Sequence, residues 1–144
     1  MLEKIKKTVF QKYNKTDTRW VFVSGFDKTN KMIISSWVLY TDKSIEELIE
    51  TLFHGLIEKH NNIAYIIIDI VTETVDVNNI GEIQSISLKD YWILISTENK
   101  SWVILPNTKW IENIQETIQI IKEKNWLTWN AKIIKFKTDR LMIN

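Results

Sequence analysis

The sequence predicts an α+β domain, a mainly antiparallel sheet packed with two long amphipathic helices. Three observations predict it. Apolar residues recur at helical spacing in two long segments, and at strand spacing or in short runs elsewhere. Short polar turns join successive strands, the connection of antiparallel neighbours. The resulting order, α-β-β-α-β-β-β-α-β, is that of an α+β protein rather than of alternating parallel units.

Residues 2–12 carry Leu2, Ile5, Val9 and Phe10 on one face with lysines elsewhere, a short amphipathic helix. Trp20 to Phe26 and Met32 to Tyr40 read as strands, with Asp27-Lys28-Thr29-Asn30-Lys31 as the hairpin loop between them. Ser44 followed by Glu47 is a capping box, in which each side chain satisfies a free backbone N–H at the helix start. From there to Lys59 one wide apolar stripe runs through Ile45, Leu48, Ile49, Leu52, Phe53, Leu56 and Ile57. Gly55 weakens that helix by up to about 1 kcal/mol relative to alanine. Ile63 to Val77 is a strand region, nearly continuous in isoleucine at first and alternating afterwards through Val71, Glu73, Val75 and Val77. Asn78 to Gly81 turns the chain. Tyr91 to Thr97 and Trp102 to Leu105 form a second hairpin, ended by Pro106, which cannot donate to a ladder. Ile111, Ile114, Ile118 and Ile121 mark the second long helix, and Ala131 to Thr138 is the closing strand.

At 144 residues the chain is expected to form one domain, residues 1–144, with a single sizeable core. Its 19 basic and 18 acidic residues leave a net charge of +1, which provides no concentrated positive surface for duplex nucleic acid. There is no cysteine, so disulfides, thiolate nucleophiles and cysteine-based zinc sites are excluded. A metal site built on His54 and His60 would need carboxylates to complete it. The first residues lack the apolar stretch of a signal peptide, and no run approaches a membrane span. A cytoplasmic protein is expected, without a membrane partner.

Three glycines and seven tryptophans are an unusual pair of counts; average usage gives about ten glycines in a chain of this length. Trp126 stands where a helix normally ends on a left-handed glycine. Trp102 and Trp129 stand in or beside tight turns, where glycine reaches positive φ without steric cost. This is the pattern expected of a lineage that reads a stop codon as glycine, with that codon written here as tryptophan; the alternative is a genuine tryptophan-rich surface. On this reading the rings project into solvent, several have unusual backbone angles, and Trp→Gly at Trp102, Trp126 and Trp129 is neutral or stabilising.

With the tryptophans read as glycines, the chain resembles the AMMECR domain family. Trp20-Val21-Phe22-Val23 is similar to a G-V-F-V strand, Tyr91-Trp92-Ile93-Leu94-Ile95 to H-G-L-I-V, and Ser101 to Pro106 to S-G-L-L-L-P. The Lys122 to Leu127 segment is similar to K-A-G-L, and Ile134 to Thr138 to the closing Y-K-F-T strand. The likeness spans roughly residues 20 to 140, by the order and spacing of individually weak motifs. It implies an AMMECR-like fold and a binding or adaptor role; relatives of the family are associated with Memo-type and radical-SAM proteins. The family's L-R-G-C-I-G motif falls on Lys31-Met32-Ile33-Ile34-Ser35-Ser36, which lacks its arginine, cysteine and glycines, and its D-P-R-F segment is replaced by His60-Asn61-Asn62-Ile63. Activities that depend on those residues do not carry over.

No catalytic constellation is readable. His54 and His60 do not share a helix face, and both read as surface or helix-end residues. Asp69 interrupts the isoleucine run and must be paired or exposed, as at a sheet edge or strand end. Asp139-Arg140 reads as a local salt bridge, or as a phosphate or carboxylate site. Ser35 and Ser36 have no readable base. Lys31, Ser35 and Ser36, at the place of the family's signature, and Asn107 and Thr108, after Pro106, are the candidate ligand-lining residues. Asn107 and Thr108 also suit the turn into the second helix. The expected function is a non-catalytic binding or adaptor domain with a protein or small-molecule partner, no cofactor and no nucleic acid. The alternative is single-stranded nucleic-acid binding by stacking on Trp and Tyr with lysines on the phosphates.

Overall fold

The computed structural model describes residues 1–39, 41–87, 89–97, 100–106, 113–124 and 131–144. The fold is α+β. Helix α1 (Leu2–Phe10) precedes strands β1 (Val21–Phe26) and β2 (Met32–Val38), then helix α2 (Ile45–Gly55) and a 3-10 turn (Ile57–Lys59). Strand β3 (Tyr65–Val77), the short helix α3 (Ile80–Gln84), β4 (Trp92–Ser96), β5 (Ser101–Ile104), helix α4 (Ile114–Lys124) and β6 (Lys132–Ile143) complete the order. The six strands form one sheet in the order β2-β1-β3-β6-β4-β5. β1 pairs antiparallel with β2 and β3, and β4 with β5 and β6. Contacts from Asp69 to Thr138 and Arg140, Thr72 to Lys137, and Asp76 to Lys132 run in opposite senses, so β3 and β6 are antiparallel too.

The chain divides into two compact units, residues 1–71 with 138–144, and residues 72–137. In the first, α1 buries Ile5 and Val9, and α2 buries Ile45, Leu48, Ile49 and Leu52, against Val21, Val23, Ile34, Ile66, Ile68, Ile70, Leu141 and Ile143 of the strands. The Ser44 hydroxyl accepts the Glu47 N–H at 3.2 Å, as the capping signature requires. The helix stops four residues before the expected Lys59. Leu56 leaves helical geometry after Gly55 (φ −134°, ψ −59°), and the tighter turn that follows swings Ile57 into the core. Gly25 is needed for close approach: a Cβ there would lie 2.6 Å from Cγ1 of Ile34 on the neighbouring strand.

In the second unit, Ile114, Ile118 and Ile121 of α4 pack with Val77, Ile86, Ile93, Ile95, Ile104 and Ile133. Helix α2 is eleven residues, shorter than its sequence pattern suggests; α4 is described over Ile114–Lys124, and Ile111 lies outside the described residues. Helix α3 was not expected. Asn79 caps it by accepting from the Glu82 N–H at 2.8 Å, and Glu82 in turn accepts from the Asn78 N–H. β3 does not alternate beyond Val71, since residues 72–76 are all exposed and burial returns only at Val77. β6 runs on to Ile143 rather than ending at Thr138.

Four tryptophans are described. Trp37 (45% exposed) and Trp102 (44%) are open to solvent, Trp20 is half-buried and Trp92 is buried at 5%. Asn30 is the one non-glycine residue with positive φ among the described residues, so none of these tryptophans has a left-handed backbone. Trp102 lies within β5, opposite Ile95, in strand geometry that any L-residue adopts. The expectation of positive-φ strain there is corrected. Trp126 and Trp129 lie outside the described residues.

Candidate binding site

The β1–β2 hairpin is set by its loop. Asp27 accepts at one carboxylate oxygen from the Thr29 hydroxyl (2.7 Å), the Thr29 N–H (2.8 Å) and the Lys31 N–H (3.0 Å). Such a side chain reproduces a backbone turn and lets the chain reverse without glycine. Asn30 takes φ 66°, a conformation asparagine tolerates, and its side-chain oxygen accepts from Tyr65 Oη at 3.1 Å. The Thr29 hydroxyl first, and then the Lys31 and Thr29 N–H groups, hold the Asp27 carboxyl below its ordinary pKa.

Beside this loop, the 61–64 segment that leads into β3 is tied to β1 by Ala64 N–H to the Phe26 carbonyl, at 2.7 Å. Between the two segments lies a cleft of about 270 Å³ lined by Asp27, Lys28, Thr29, Asn61, Asn62, Ile63 and Ala64. Its lining joins the apolar Ile63 and Ala64 to polar and charged side chains. A ligand there would meet the Lys28 ammonium and two primary amides, which both donate and accept.

Lys31 closes the hairpin loop and is exposed. Ser35 and Ser36 lie on β2 opposite Ser24 and Val23, and adjacent strand residues point to opposite faces. The exposed Ser35 shares a face with Phe22 and Trp37; Ser36, half-buried, faces the helices beside Ile34 and Val38. The two serines therefore do not line one pocket together. Asn107 and Thr108 lie outside the described residues. The cleft residues Lys28, Asn61 and Asn62 were not singled out from sequence; Asp27-x-Thr29 facing an Asn-Asn pair across a strand turn was the available signal.

The sheet face opposite the helices holds the unit's buried charge. Asp69 stands on β3, an inner strand, not at the edge or strand end expected from sequence. Asp69 is 2% exposed, and its carboxylate accepts from Arg140 through both oxygens, with the Thr138 hydroxyl donating at 3.1 Å. The hydrogen bond to Asp69 raises the Arg140 pKa above its ordinary value. Asp139 and Arg140 do not pair with each other. As neighbours on a strand they point to opposite faces: Asp139 faces the helices, where it accepts from Tyr13 Oη at 2.8 Å with Lys12 at 3.7 Å. His54 is exposed and meets Glu58 one turn on, at 3.0 Å. Among the described residues, no three His, Asp or Glu side chains converge at metal-binding range, and no helix is long and apolar enough to cross a membrane.

No protein-family model matches the chain, and no curated protein is significantly similar to it. The fold is similar to the crystal structure of the uncharacterized protein PH0010 from Pyrococcus horikoshii. The TM-score is 0.67 at 12% identity, over 98% of this chain and 86% of that one. At that identity the likeness is one of fold.

Proposed function

We propose that this chain is a binding domain of the AMMECR type, which captures a small ligand or a protein segment without a catalytic centre of its own. The observation that carries the reading is the cleft beside the β1–β2 hairpin. It offers an ammonium and two amides for recognition, whereas its one carboxylate, Asp27, is engaged by three hydrogen bonds of its own turn. A carboxylate held that way is a weak base, suited to shaping a loop rather than removing a proton. The family placement rests on the ordered motifs from Trp20 to Thr138 and fits an α+β fold. Reading tryptophan as glycine is supported by the exposed rings of Trp37 and Trp102 and opposed by the buried Trp92; the seven codons in the gene decide it.

The test is a small-molecule library titrated into isotope-labelled protein. Backbone shifts are expected to cluster at residues 27–31 and 61–64 and to vanish in Lys28→Ala/Asn62→Ala. Turnover of a bound compound, abolished by Ser35→Ala or Ser36→Ala, overturns the reading. The alternative, single-strand nucleic-acid binding, draws on Trp37, an exposed ring on the sheet face that also carries Arg140. Salt-sensitive quenching of tryptophan emission by an oligonucleotide would favour it.

A further inference from the structure

β2 and β5 are the two edges of the sheet, and they are protected very differently. β5 is four residues long and is followed two residues on by Pro106. Shortness and proline are among the devices that stop an edge strand from pairing with another chain. β2 has seven residues, Met32-Ile-Ile-Ser-Ser-Trp-Val38, with neither a charge nor a proline. Its one irregularity is at the start, where Gly25 and Phe26 face Ile34 and Met32 and leave Ile33 as the extra residue of a bulge. Ile34 to Val38 remains a regular run of five. Among the described residues no strand lies beyond it, so alternate backbone N–H and C=O groups point outward as a template. Met32 and Trp37 are large apolar side chains, each nearly half exposed on this strand.

We propose that this edge pairs with the same edge of a second copy of the chain, antiparallel about a two-fold axis, so that the sheet continues through a dimer. The segment is self-complementary. A two-fold register centred on Ser36 sets Ile34 opposite the second copy's Val38, Ser35 opposite its Trp37, and Ser36 opposite itself. On the face towards the helices, β-branched side chains meet each other; on the other face, an indole covers a serine, leaving room for the ring. In an isologous interface a residue at the axis meets its own copy, so a charge there would repel itself. β2 places an uncharged, small residue at that point. An extended peptide of another protein would be read by the same backbone groups, but the symmetry of this side-chain pattern favours a second copy.

Sedimentation equilibrium of the full chain at rising concentration tests this. The expected mass approaches twice 17.2 kDa, and the amides of residues 34–38 exchange hydrogen more slowly as concentration rises. Ser35→Lys adds a charge at an exposed position of the edge and is expected to return the mass to one copy with an unchanged circular dichroism spectrum. A single-copy mass at every concentration overturns the proposal in the wild-type protein alone, whether or not the variant folds. So does a dimer that Ser35→Lys leaves intact with concentration-independent exchange at 34–38, or an edge protected only when another protein's extended peptide is added.

Discussion

Arg140 grips the buried carboxylate of Asp69 with two parallel hydrogen bonds, Nε to Oδ1 at 2.9 Å and Nη2 to Oδ2 at 3.1 Å. The acid side chain is 3% exposed and the guanidinium side chain 55%, so the pair has one dry end and one wet end. Its geometry comes from strand alternation. Asp69 on β3 and Arg140 on β6 both point away from the helices, and the bidentate fork locks the two strands in one alignment.

Removing Arg140 leaves a desolvated carboxylate without its cation. Arg140→Ala is expected to destabilise the protein by about 3 kcal/mol, the lower end for a broken buried pair, because water reaches the site from the exposed side. Arg140→Lys keeps the charge but not the planar fork, and should recover only part of the loss. Urea denaturation of both variants measures this, and equal stability of wild type and Arg140→Ala would contradict it.

Leu52 closes the last turn of α2 against the core. Leu52→Ala is expected to cost about 2–5 kcal/mol, and Ser44→Ala, which removes the cap at the other end, about 1 kcal/mol. The two sites are far apart on the helix, so the double variant should show nearly additive losses.

The tryptophans should respond unequally to replacement by glycine. Trp92 is buried and its ring stacks on Phe136 with centroids 5.6 Å apart. Trp92→Gly is expected to cost about 3–5 kcal/mol, as for truncation of a core aromatic. Trp37, nearly half exposed, tilts against Phe22 at 6.2 Å, so Trp37→Gly is expected to cost less, about 1–2 kcal/mol. Thermal denaturation that ranks Trp37→Gly above Trp92→Gly in damage would reverse this account.

Tyr13 gives the protein an alkaline limit. Burial, followed by its hydrogen bond to Asp139, pushes the phenol up to about 12 from 10.0. A folded-state pKa above the unfolded one means that the protonated phenol favours the fold. The contribution is whole below pH 10 and disappears as pH rises to about 12. Tyr13→Phe should remove that part of the alkaline stability loss, read as the difference between the two proteins across this window. Ultraviolet titration should show a late-ionising phenol in the wild type that Tyr13→Phe removes.

Much of the secondary structure was legible because it rests on local rules. The Ser44 cap and the stripe from Ile45 to Leu52 are one helix in any context that buries them, and the short apolar, β-branched and aromatic runs at 21–26 and 32–38 need only a neighbouring strand. The Asn79–Glu82 cap was legible too, but α3 has no apolar stripe to announce it. The premature end of α2 depended on whether core packing at Ile57 would outweigh a continued helix, which no local pattern states.

The candidate site was mostly not legible. The sequence by itself determined that Asp69, alone in a run of isoleucines, had to be paired or exposed, and that Lys31 to Ser36 would lie on the first hairpin. Which cation met Asp69 was decided only by the pairing of β3 with β6, which brought Arg140, 71 residues on in the chain, to the same face and sent Asp139 to the other. The cleft likewise exists because β1 and β3 pair in a register that sets the 27–31 loop beside the 61–64 segment. Alternation dictates which face a side chain takes within its own strand. The partner across the strand is set by long-range register, and that is chosen by the burial of the whole sheet.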